Sequence, residues 1–489
     1  MTLPYVVIGA GAAGMTTALI LARRGERVVL VEGAPSLAPL LRGFVREGVR
    51  FDTGFHYAGG LDADGALTRF FRYLGLAGAL QPVPFAADGF DLCRFADGGE
   101  FRFPIGEVAL AEALGADFPG ERGAIGRYLE ALRQAWEAFP YMNLDAPVAA
   151  VADAGLLDGP SLQQVLDEHF TAPRLKELLS LHCLLHGAAA DEISFALHAC
   201  IVGPYYRSVH GIAGGGGALA KVFADALQAA GVEVCCGVAV TSILCSEAGA
   251  VTGVRLADGE EIDCCGCVAT LHPRLLPELL PAGVLRPAYC HRLERLEESA
   301  GGLVLFANCA ATPAPLRRRN LFLSGGGEQF VAGPVDGRPL YLSGCEAGDT
   351  GGGFLAILPL SVDDFAPWRS SRRQERPPAY RQRKEDLTAA VLARLRREVP
   401  ELAGAIRAVA AATPLTYRDY VASPYGSLYG VKHRVGQLNP QAQTRARGLY
   451  LAGQATAAPG VLGAMLSGFL ACGTILGHES LRQELKRCG

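Results

Sequence analysis

Residues 5–14 read YVVIGAGAAG, a run of strand-forming residues that passes directly into glycines at positions 9, 11 and 14. The Ala/Leu-rich stretch that follows, up to Arg24, has the composition of a helix. Gly25 ends it, and residues 27–31 form a second apolar run of strand length. Strand, glycine turn, helix and strand in this order predict a βαβ unit, and therefore an α/β fold with a parallel sheet.

The glycine turn has the spacing of a dinucleotide site. Gly9, Gly11 and Gly14 form G-x-G-x-x-G at the mouth of the helix, where free N–H groups and the helix dipole favour a pyrophosphate. Glu32 ends the second strand, where a carboxylate accepts hydrogen bonds from a ribose and repels a 2′-phosphate. The chain holds 61 glycines, so the spacing counts only because strand, helix and acid surround it. Together they predict FAD or NAD and disfavour NADP.

Composition excludes several classes of protein. A chain of 489 residues, half of them apolar, is long enough for two or more structural units. Its net charge of −4 gives no electrostatic reason to bind nucleic acid. Cys264, Cys265 and Cys267 lack the second ligand pair of a zinc site, so we expect no metal and reduced, cytoplasmic cysteines. The apolar stretch 461–476 is interrupted by glycines and is shorter than the roughly 20 residues of a membrane span.

The middle of the chain predicts a second unit. Residues 67–208 have mainly helical periodicity, with strand signals near residues 90–103. Between residues 300 and 360, short apolar runs alternate with Gly and Pro turns, which predicts an antiparallel sheet. Residues 369–384 are basic and interrupted by prolines, so we expect an exposed loop before a helix at 384–398. A last strand, LYLAG, precedes a long helix that begins near Gly463.

Five segments of the chain resemble the phytoene desaturase and amine oxidase superfamily of flavoproteins, and most of all its retinol saturase and carotenoid isomerase branch. They are spread from residue 5 to about residue 470 and follow one another in the same order as in that family. The segments are VVIGAGAAGM, REGVRFDTGFHYAGG, GGGGALAKVFADALQAAG with VAVTSI, TPLTYRDYVASPYGSLYG, and LYLAGQATAAPGVLGAMLSG.

The resemblance implies a two-domain flavoprotein of the glutathione-reductase-like type. Its Rossmann-type FAD-binding domain would consist of residues 1–66, 209–290 and 421–489. An interleaved α+β substrate-binding domain would consist of residues 67–208 and 291–420. FAD is therefore the expected cofactor.

The resemblance also implies which residues contact FAD. The backbone of Val240 would meet the adenine, and Gly453 and Gln454 would lie against the pyrophosphate and ribityl chain. Val461, Gly463 and Ala464 would begin a helix whose N-terminus points at the pyrimidine edge of the flavin. Such a terminus stabilises the negative charge of a reduced flavin by about 1 kcal/mol or less.

One segment departs from the family. Where the family has a Gly-Gly-Arg-like step beyond the ribose acid, this chain has Ala38, Pro39 and Leu40. Proline has no N–H to donate to the cofactor. We therefore expect Arg42, with Gly43, to supply the missing contact by a shifted route.

The resemblance implies a lipophilic isoprenoid, carotenoid-like or retinoid-like substrate, which the enzyme would saturate, desaturate or isomerise. Saturation needs a hydride and a proton, and the candidate proton donors are His56, Tyr57 and Tyr429. The sequences FDTGFHY and GQATAAPG favour the saturase branch. No second G-x-G-x-x-G follows a strand, so we expect an external electron donor or acceptor.

Access to such a lipid suggests peripheral docking on the inner face of a membrane through residues 317–319 and 369–384. Two other functions remain open at this stage. Escort proteins of the same fold hold prenyl groups without flavin, and the altered Ala38–Pro39 step is compatible with such a carrier. An amine oxidase of this fold usually has a lysine near the ring, and the C-terminal region offers only Lys432 at a suitable place.

Overall fold

The computed structural model describes residues 2–147, 159–326, 330–348 and 351–488. Within those ranges, the N-terminal βαβ unit belongs to a parallel sheet of five strands. The helix Ala12–Arg23 connects the first two strands, as the sequence predicts. In spatial order the strands are Glu233–Cys236, Val28–Glu32, Tyr5–Ile8, Gly266–Ala269 and Leu449–Leu451.

This parallel sheet is covered on both faces. Val6 and Val29 belong to one buried apolar cluster, whereas their neighbours Val7 and Leu30 belong to another. Successive side chains of a strand point to opposite faces, so apolar layers lie on both sides of the sheet.

A second sheet, of seven strands in the described part of the chain, is mainly antiparallel. The prediction for residues 300–360 is therefore confirmed. One neighbouring pair, Asn320–Leu323 with Asp91–Arg94, is parallel. The spatial order is Ile406–Ala412, Gly301–Cys309, Gly351–Leu360, Leu340–Gly348, Asn320–Leu323, Asp91–Arg94 and Glu100–Phe103.

Shorter strands form three further groups. They are Val240–Cys245 with Val251–Leu256 and Glu261–Asp263; the hairpin Phe44–Arg46 with Val49–Phe51; and Ala58–Gly59 with Val209–Ile212 and Pro82–Pro84.

Helices dominate the described residues 66–147 and 159–207, in agreement with the sequence. Among the described residues, no helix is both long and apolar enough to cross a membrane. The α-helices of the described residues are Ala12–Arg23, Ala66–Leu74, Glu107–Asp117, Arg122–Glu137, Leu162–His169, Pro173–Ser180, Phe195–Arg207, Gly215–Ala229, Leu276–Leu279, Pro287–Glu294, Pro378–Glu398, Pro400–Ala403, Pro414–Val421, Gly460–Leu476 and His478–Arg487.

Two helix starts differ from the sequence prediction. The helix expected from residue 384 begins at Pro378. The prediction of an exposed loop is therefore wrong for residues 378–384, which are helical. Proline is tolerated in the first turn of a helix, because the N–H groups there have no partner within the helix. The last long helix begins at Gly460, three residues before Gly463, and its N-cap residue is Pro459.

The helices Ala12–Arg23 and Gly460–Leu476 pack closely along a seam of small residues. A Cβ atom on Gly468 would lie 3.0 Å from Thr16 Cγ2 and 3.1 Å from the carbonyl oxygen of Ala13. Further along, Cys472 Sγ lies 3.7 Å from the carbonyl oxygen of Thr17. These contacts fix the two helices against each other.

All five strands of the parallel sheet fall within residues 1–66, 209–290 and 421–489, and all seven of the other sheet fall within 67–208 and 291–420. We keep this division into two units as a proposal.

Candidate functional site

The three motif glycines have different surroundings. A Cβ on Gly14 would lie 1.8 Å from the carbonyl oxygen of Gly9, so only glycine allows this contact of helix and turn. Gly9 has a φ of +98°, and its Cβ would meet Thr270 Oγ1 at 2.6 Å. Gly11 is different, because no described atom lies within 4 Å of its Cβ position. It faces open space at the mouth of the helix.

The end of this helix offers donors to that space. Gly11 is the N-cap residue, and no described side chain caps the helix. The carboxylate of Glu32 lies beside the turn, where it accepts hydrogen bonds from the N–H of Ala10 at 2.7 Å and of Ala34 at 2.8 Å. Open space, the free N–H groups of the first helical turn and the carboxylate of Glu32 therefore lie together, as a dinucleotide site requires.

Val240 lies near the same edge of the sheet. The N–H of Gly237 donates to the carbonyl of Ala34 at 2.8 Å, and that of Val238 donates to the carbonyl of Glu32 at 3.3 Å. The chain then enters the strand that begins with the half-buried Val240. This places Val240 near Glu32, which is compatible with its predicted contact with adenine.

Gly453 and Gln454 follow the last strand of the parallel sheet. Gly453 has a φ of +121°, which favours glycine, and its N–H donates to Ser467 Oγ at 2.7 Å. His433 Nε2 lies 2.7 Å from the carbonyl oxygen of Gln454. Thr270 borders both glycine turns, since the Cβ position of Gly453 lies 3.4 Å from its carbonyl oxygen.

A cavity lies at the N-terminus of the helix Gly460–Leu476, with about 1140 Å³ of empty space including its mouth. Val461 and Gly463 line it, whereas Ala464 is not among the lining residues. The three candidate proton donors, His56, Tyr57 and Tyr429, all line it as well. None of the described lining residues is Asp, Glu, Lys or Arg. The other walls are aliphatic and aromatic, including Leu184, Leu185, Ile201, Tyr205, Tyr341, Ile357, Leu428 and Leu466.

His56 is a neutral group of this wall. Its ring lies beside that of Tyr341, with centroids 6.0 Å apart. Burial lowers the pKa of His56 to about 4. Above that pH the imidazole carries one N–H and one lone pair, so it can bind a polar group or relay a proton.

The two candidate tyrosines direct their hydroxyl groups into the protein. Tyr57 donates to Asp91 Oδ2 at 3.0 Å, and Tyr429 donates to the carbonyl oxygen of Leu184 at 3.1 Å. Burial raises the pKa of both phenols, and Asp91 raises that of Tyr57 further. Whether either residue or His56 acts as the proton donor stays a prediction.

Sequence reasoning missed a buried polar network behind this wall. Asp91 lies at its centre with 0 % of its surface exposed. His182 Nε2 lies 3.0 Å from the oxygen that Tyr57 contacts, and Asn320 Nδ2 donates to the other oxygen at 2.8 Å. Asn320 Oδ1 in turn accepts from the hydroxyl of Tyr341 at 3.1 Å. The one available signal was a single acid within the apolar run GFDLCRF.

The segment that departs from the family keeps a tight turn. Ala38 is buried with a φ of +50°, a left-handed conformation that favours glycine. Its N–H donates to the carbonyl of Ala10 at 2.9 Å, and its carbonyl accepts from the N–H of Arg42 at 3.1 Å. The guanidinium of Arg42 donates to Ser36 Oγ. The turn is therefore fixed against the dinucleotide site, although no observation tests a contact of Arg42 with FAD.

These residues fit FAD. No described side chain fills the space in front of Gly11, where a pyrophosphate would lie, and Glu32 lies where a ribose would be bound. The cavity at the N-terminus of the helix Gly460–Leu476 would receive the flavin ring. Bound there, FAD would be held by the N–H groups of the first helix at one end and would meet Gly453 and Gln454 towards the cavity.

Comparison with known proteins agrees with this interpretation. Over its whole length the chain is similar to all-trans-retinol 13,14-reductase of Homo sapiens, with 26 % identity over 99 % of this chain and 87 % of the relative. It is 28 % identical to hydroxyneurosporene desaturase of Rubrivivax gelatinosus, over 99 % of this chain and 95 % of the relative.

Solved structures show the same fold at low identity. An oxidoreductase from Methanosarcina mazei superposes with a TM-score of 0.66 at 15 % identity, over 95 % of this chain and 99 % of its own. Cyclohexylamine oxidase from Brevibacterium oxydans superposes with a TM-score of 0.63 at 17 % identity, over the full length of both chains. The predictions of an α/β flavoprotein fold and of FAD as cofactor are confirmed. The family model of the flavin containing amine oxidoreductases matches residues 12–476, and the chain belongs to that family.

Proposed function

We propose that this FAD-dependent oxidoreductase acts on carbon–carbon double bonds of an isoprenoid-like lipid, with saturation as the favoured direction. The observation that carries the proposal is the cavity at the N-terminus of the helix Gly460–Leu476. Aromatic rings and aliphatic side chains line it, its described lining contains no Asp, Glu, Lys or Arg, and His56 in that lining is neutral. A conjugated polyene suits such walls, because it has large apolar faces and few polar atoms.

The polar groups of the wall support the same conclusion. Tyr57 and Tyr341 present their rings to the cavity, stacked at 6.2 Å, while their hydroxyls bond to Asp91 and Asn320. The hydroxyl groups of both phenols are therefore engaged within the protein, and their rings contribute apolar surface to the cavity wall. A planar polyene gains dispersion contacts from such surfaces without losing hydrogen bonds to water.

The division of chemical roles follows from this arrangement. Bound FAD supplies or accepts the hydride, which is the chemistry that the family's cofactor provides. The chain's own residues exclude water, hold the polyene against the helix N-terminus, and place the neutral imidazole of His56, with one N–H and one lone pair, at the cavity wall. The N-terminal N–H groups of the helix Gly460–Leu476 favour negative charge next to the cavity.

An amine substrate suits the cavity less well. A protonated amine loses several kcal/mol of hydration when it enters an apolar site, unless a carboxylate or an aromatic cage receives it. Aromatic rings line the cavity, but no carboxylate lies among the described lining residues to neutralise the charge of an amine. The polyene proposal therefore fits the walls better than the amine oxidase alternative.

The partners of the reaction are also proposals. We infer an external electron donor or acceptor, and contact with a membrane surface through basic residues. Part of the predicted basic surface is already paired, which limits that contact to the remaining cations. The paired cations are Arg319 with Asp88, Arg369 with Asp363, and Arg376 with Asp419.

The test begins with the visible spectrum of the protein purified without added cofactor and again after FAD supplementation and desalting. The flavoprotein is then reduced under anaerobic conditions and mixed with an all-trans polyene alcohol or a carotene. We expect reoxidation of the flavin together with a product that has lost one double bond. A parallel arm offers the oxidised protein a partly saturated polyene and a quinone, and it detects desaturation.

The outcomes separate the alternatives. A geometric isomer formed without net redox change selects isomerisation. A polyene that binds stoichiometrically to a protein unable to retain FAD supports the flavin-free carrier. Rapid reduction of the oxidised flavin by amines, with no turnover of polyenes in either arm, contradicts the proposal.

A further inference from the structure

Lys384 differs from the other lysines of this chain. The sequence contains five lysines, and four of them pair with a carboxylate. Within the described residues Lys384 has no such partner, although it is half-buried. The four pairs, at 2.6 to 2.7 Å, are Lys176–Asp167, Lys221–Asp225, Lys432–Glu192 and Lys486–Asp145.

Lys384 faces an open groove of about 1210 Å³. The groove lies between the helix Pro378–Glu398 and the strand Ile406–Ala412, which is an edge of the seven-stranded sheet. Its lining is strongly basic, since Glu385 is the single acid among the described lining residues. The cations are Arg46, Arg373, Arg376, Arg381 and Lys384.

Two of these cations are already engaged. Arg376 donates to Asp419 Oδ2 at 2.5 Å, and Arg373 lies over the ring of Tyr420 at 4.6 Å. The side chains of the other three, Arg46, Arg381 and Lys384, form no hydrogen bond or ion pair with the part of the chain that the structure describes.

Gathering like charges in a concave site costs free energy. Burial, and then the charge of Arg46, lower the pKa of Lys384, which shows that its charged form is disfavoured there. An anion in the groove would remove this cost, because it would pair with Lys384 and Arg46 together. The groove also has an apolar floor, formed by Tyr380, Leu392, Val409 and Ala410.

We propose that this groove is a binding site for a phosphate group, held by Lys384, Arg46 and Arg381. A phosphate dianion has several acceptor oxygens, which suits two guanidinium groups and one ammonium better than a single carboxylate would. The apolar floor favours a phosphate that is attached to an apolar body. None of these residues lines the cavity beside the helix Gly460–Leu476, so the site does not depend on the proposed redox function.

The test measures the rate at which each lysine of the FAD-loaded protein undergoes reductive methylation at neutral pH. Lys384 should react faster than Lys221, because its lowered pKa leaves more free amine. Inorganic phosphate, inorganic pyrophosphate, and vesicles of phosphatidylcholine with or without phosphatidic acid are then added separately. We expect protection of Lys384 but not of Lys221, which serves as the internal control.

The arms identify the source of the phosphate. Protection by soluble pyrophosphate assigns the site to a soluble phosphate compound, and protection only by vesicles that contain phosphatidic acid assigns it to a lipid headgroup. Arg46→Gln and Arg381→Gln should each weaken protection at least tenfold, whereas Arg295→Gln, at an exposed position outside the groove, should not. Equal protection in Arg46→Gln, or none by any of these probes, would overturn the proposal.

Discussion

Tyr57 donates its phenolic hydrogen to the fully buried carboxylate of Asp91 at 3.0 Å, and this bond joins the cavity wall to the seven-stranded sheet. The residue next to Tyr57 in sequence, His56, faces the same cavity. One short segment therefore supplies both a neutral imidazole and a ring fixed by a buried anion. A hydrogen bond to a charged group contributes more to stability than one to a neutral group, which gives the first prediction.

Tyr57→Phe should destabilise the protein by about 1.5–3 kcal/mol, because the buried carboxylate of Asp91 loses a donor. Tyr429→Phe is the control, since its partly buried hydroxyl donates to the neutral carbonyl of Leu184 at 3.1 Å. That variant should lose about 1 kcal/mol. Urea unfolding measures both, and an equal loss in the two variants would show that Asp91 contributes nothing special.

Gly11→Ala and Gly14→Ala should separate cofactor binding from folding. No described atom lies within 4 Å of the Cβ position of Gly11, so the apoprotein should keep its stability to within about 1 kcal/mol. Its affinity for FAD should fall at least tenfold, because the methyl group enters the space of the pyrophosphate. In Gly14→Ala the new atom would lie 1.8 Å from the Gly9 carbonyl oxygen, so folding itself should suffer. Thermal unfolding of the apoproteins and FAD titration measure the two effects; unchanged FAD affinity in Gly11→Ala would contradict the assignment.

Acid should destabilise the protein through its buried neutral histidines. Burial lowers the pKa of His186 to about 3 and that of His433 to about 4, below the value of about 6.5 in an unfolded chain. Between pH 6.5 and 4 the unfolded chain binds more protons, so stability falls as the pH falls. Each histidine contributes a slope of up to about 1.4 kcal/mol per pH unit. Urea unfolding across this range tests it, and His433→Gln should show a shallower slope; an unchanged slope would contradict the assignment.

Arg42→Ala should reduce the fraction of protein that retains FAD after desalting. The turn that holds Arg42 is fixed to Ala10, next to the dinucleotide site, and Pro39 in that turn has no N–H for the cofactor. Arg72→Ala, at an exposed position outside the turn, is the control. The ratio of flavin to protein measures occupancy. Full occupancy in Arg42→Ala would mean that the altered segment needs no substitute contact.

The parts of the site that the sequence predicted are those encoded locally. Gly9, Gly11, Gly14 and Glu32 lie within one βαβ unit, where strand, turn and helix follow from a short run of residues. The sequence pattern misplaces the start of the helix Pro378–Glu398, because a proline that can interrupt a helix can also occupy its first turn.

The Asp91 network had no comparable signal. Tyr57, Asp91, His182 and Asn320 come from separate segments of the chain, and no fixed spacing connects them. A strand such as Asp91–Arg94 shows that one acid lies among apolar residues, but not which distant donors surround it. Only the pairing of the strands in three dimensions brings these groups together.

The seam between the helices Ala12–Arg23 and Gly460–Leu476 connects the glycine turn at the start of the first helix with the cavity at the start of the second. One helix starts at Ala12, where we expect the pyrophosphate, and the other starts at the cavity; Gly468 packs against Thr16 with almost no free space. The distance between the N-termini of the two helices is thus fixed before the cofactor binds. We therefore expect a dinucleotide of matching length to bind at both ends of the site, and a shorter nucleotide to bind at one end only.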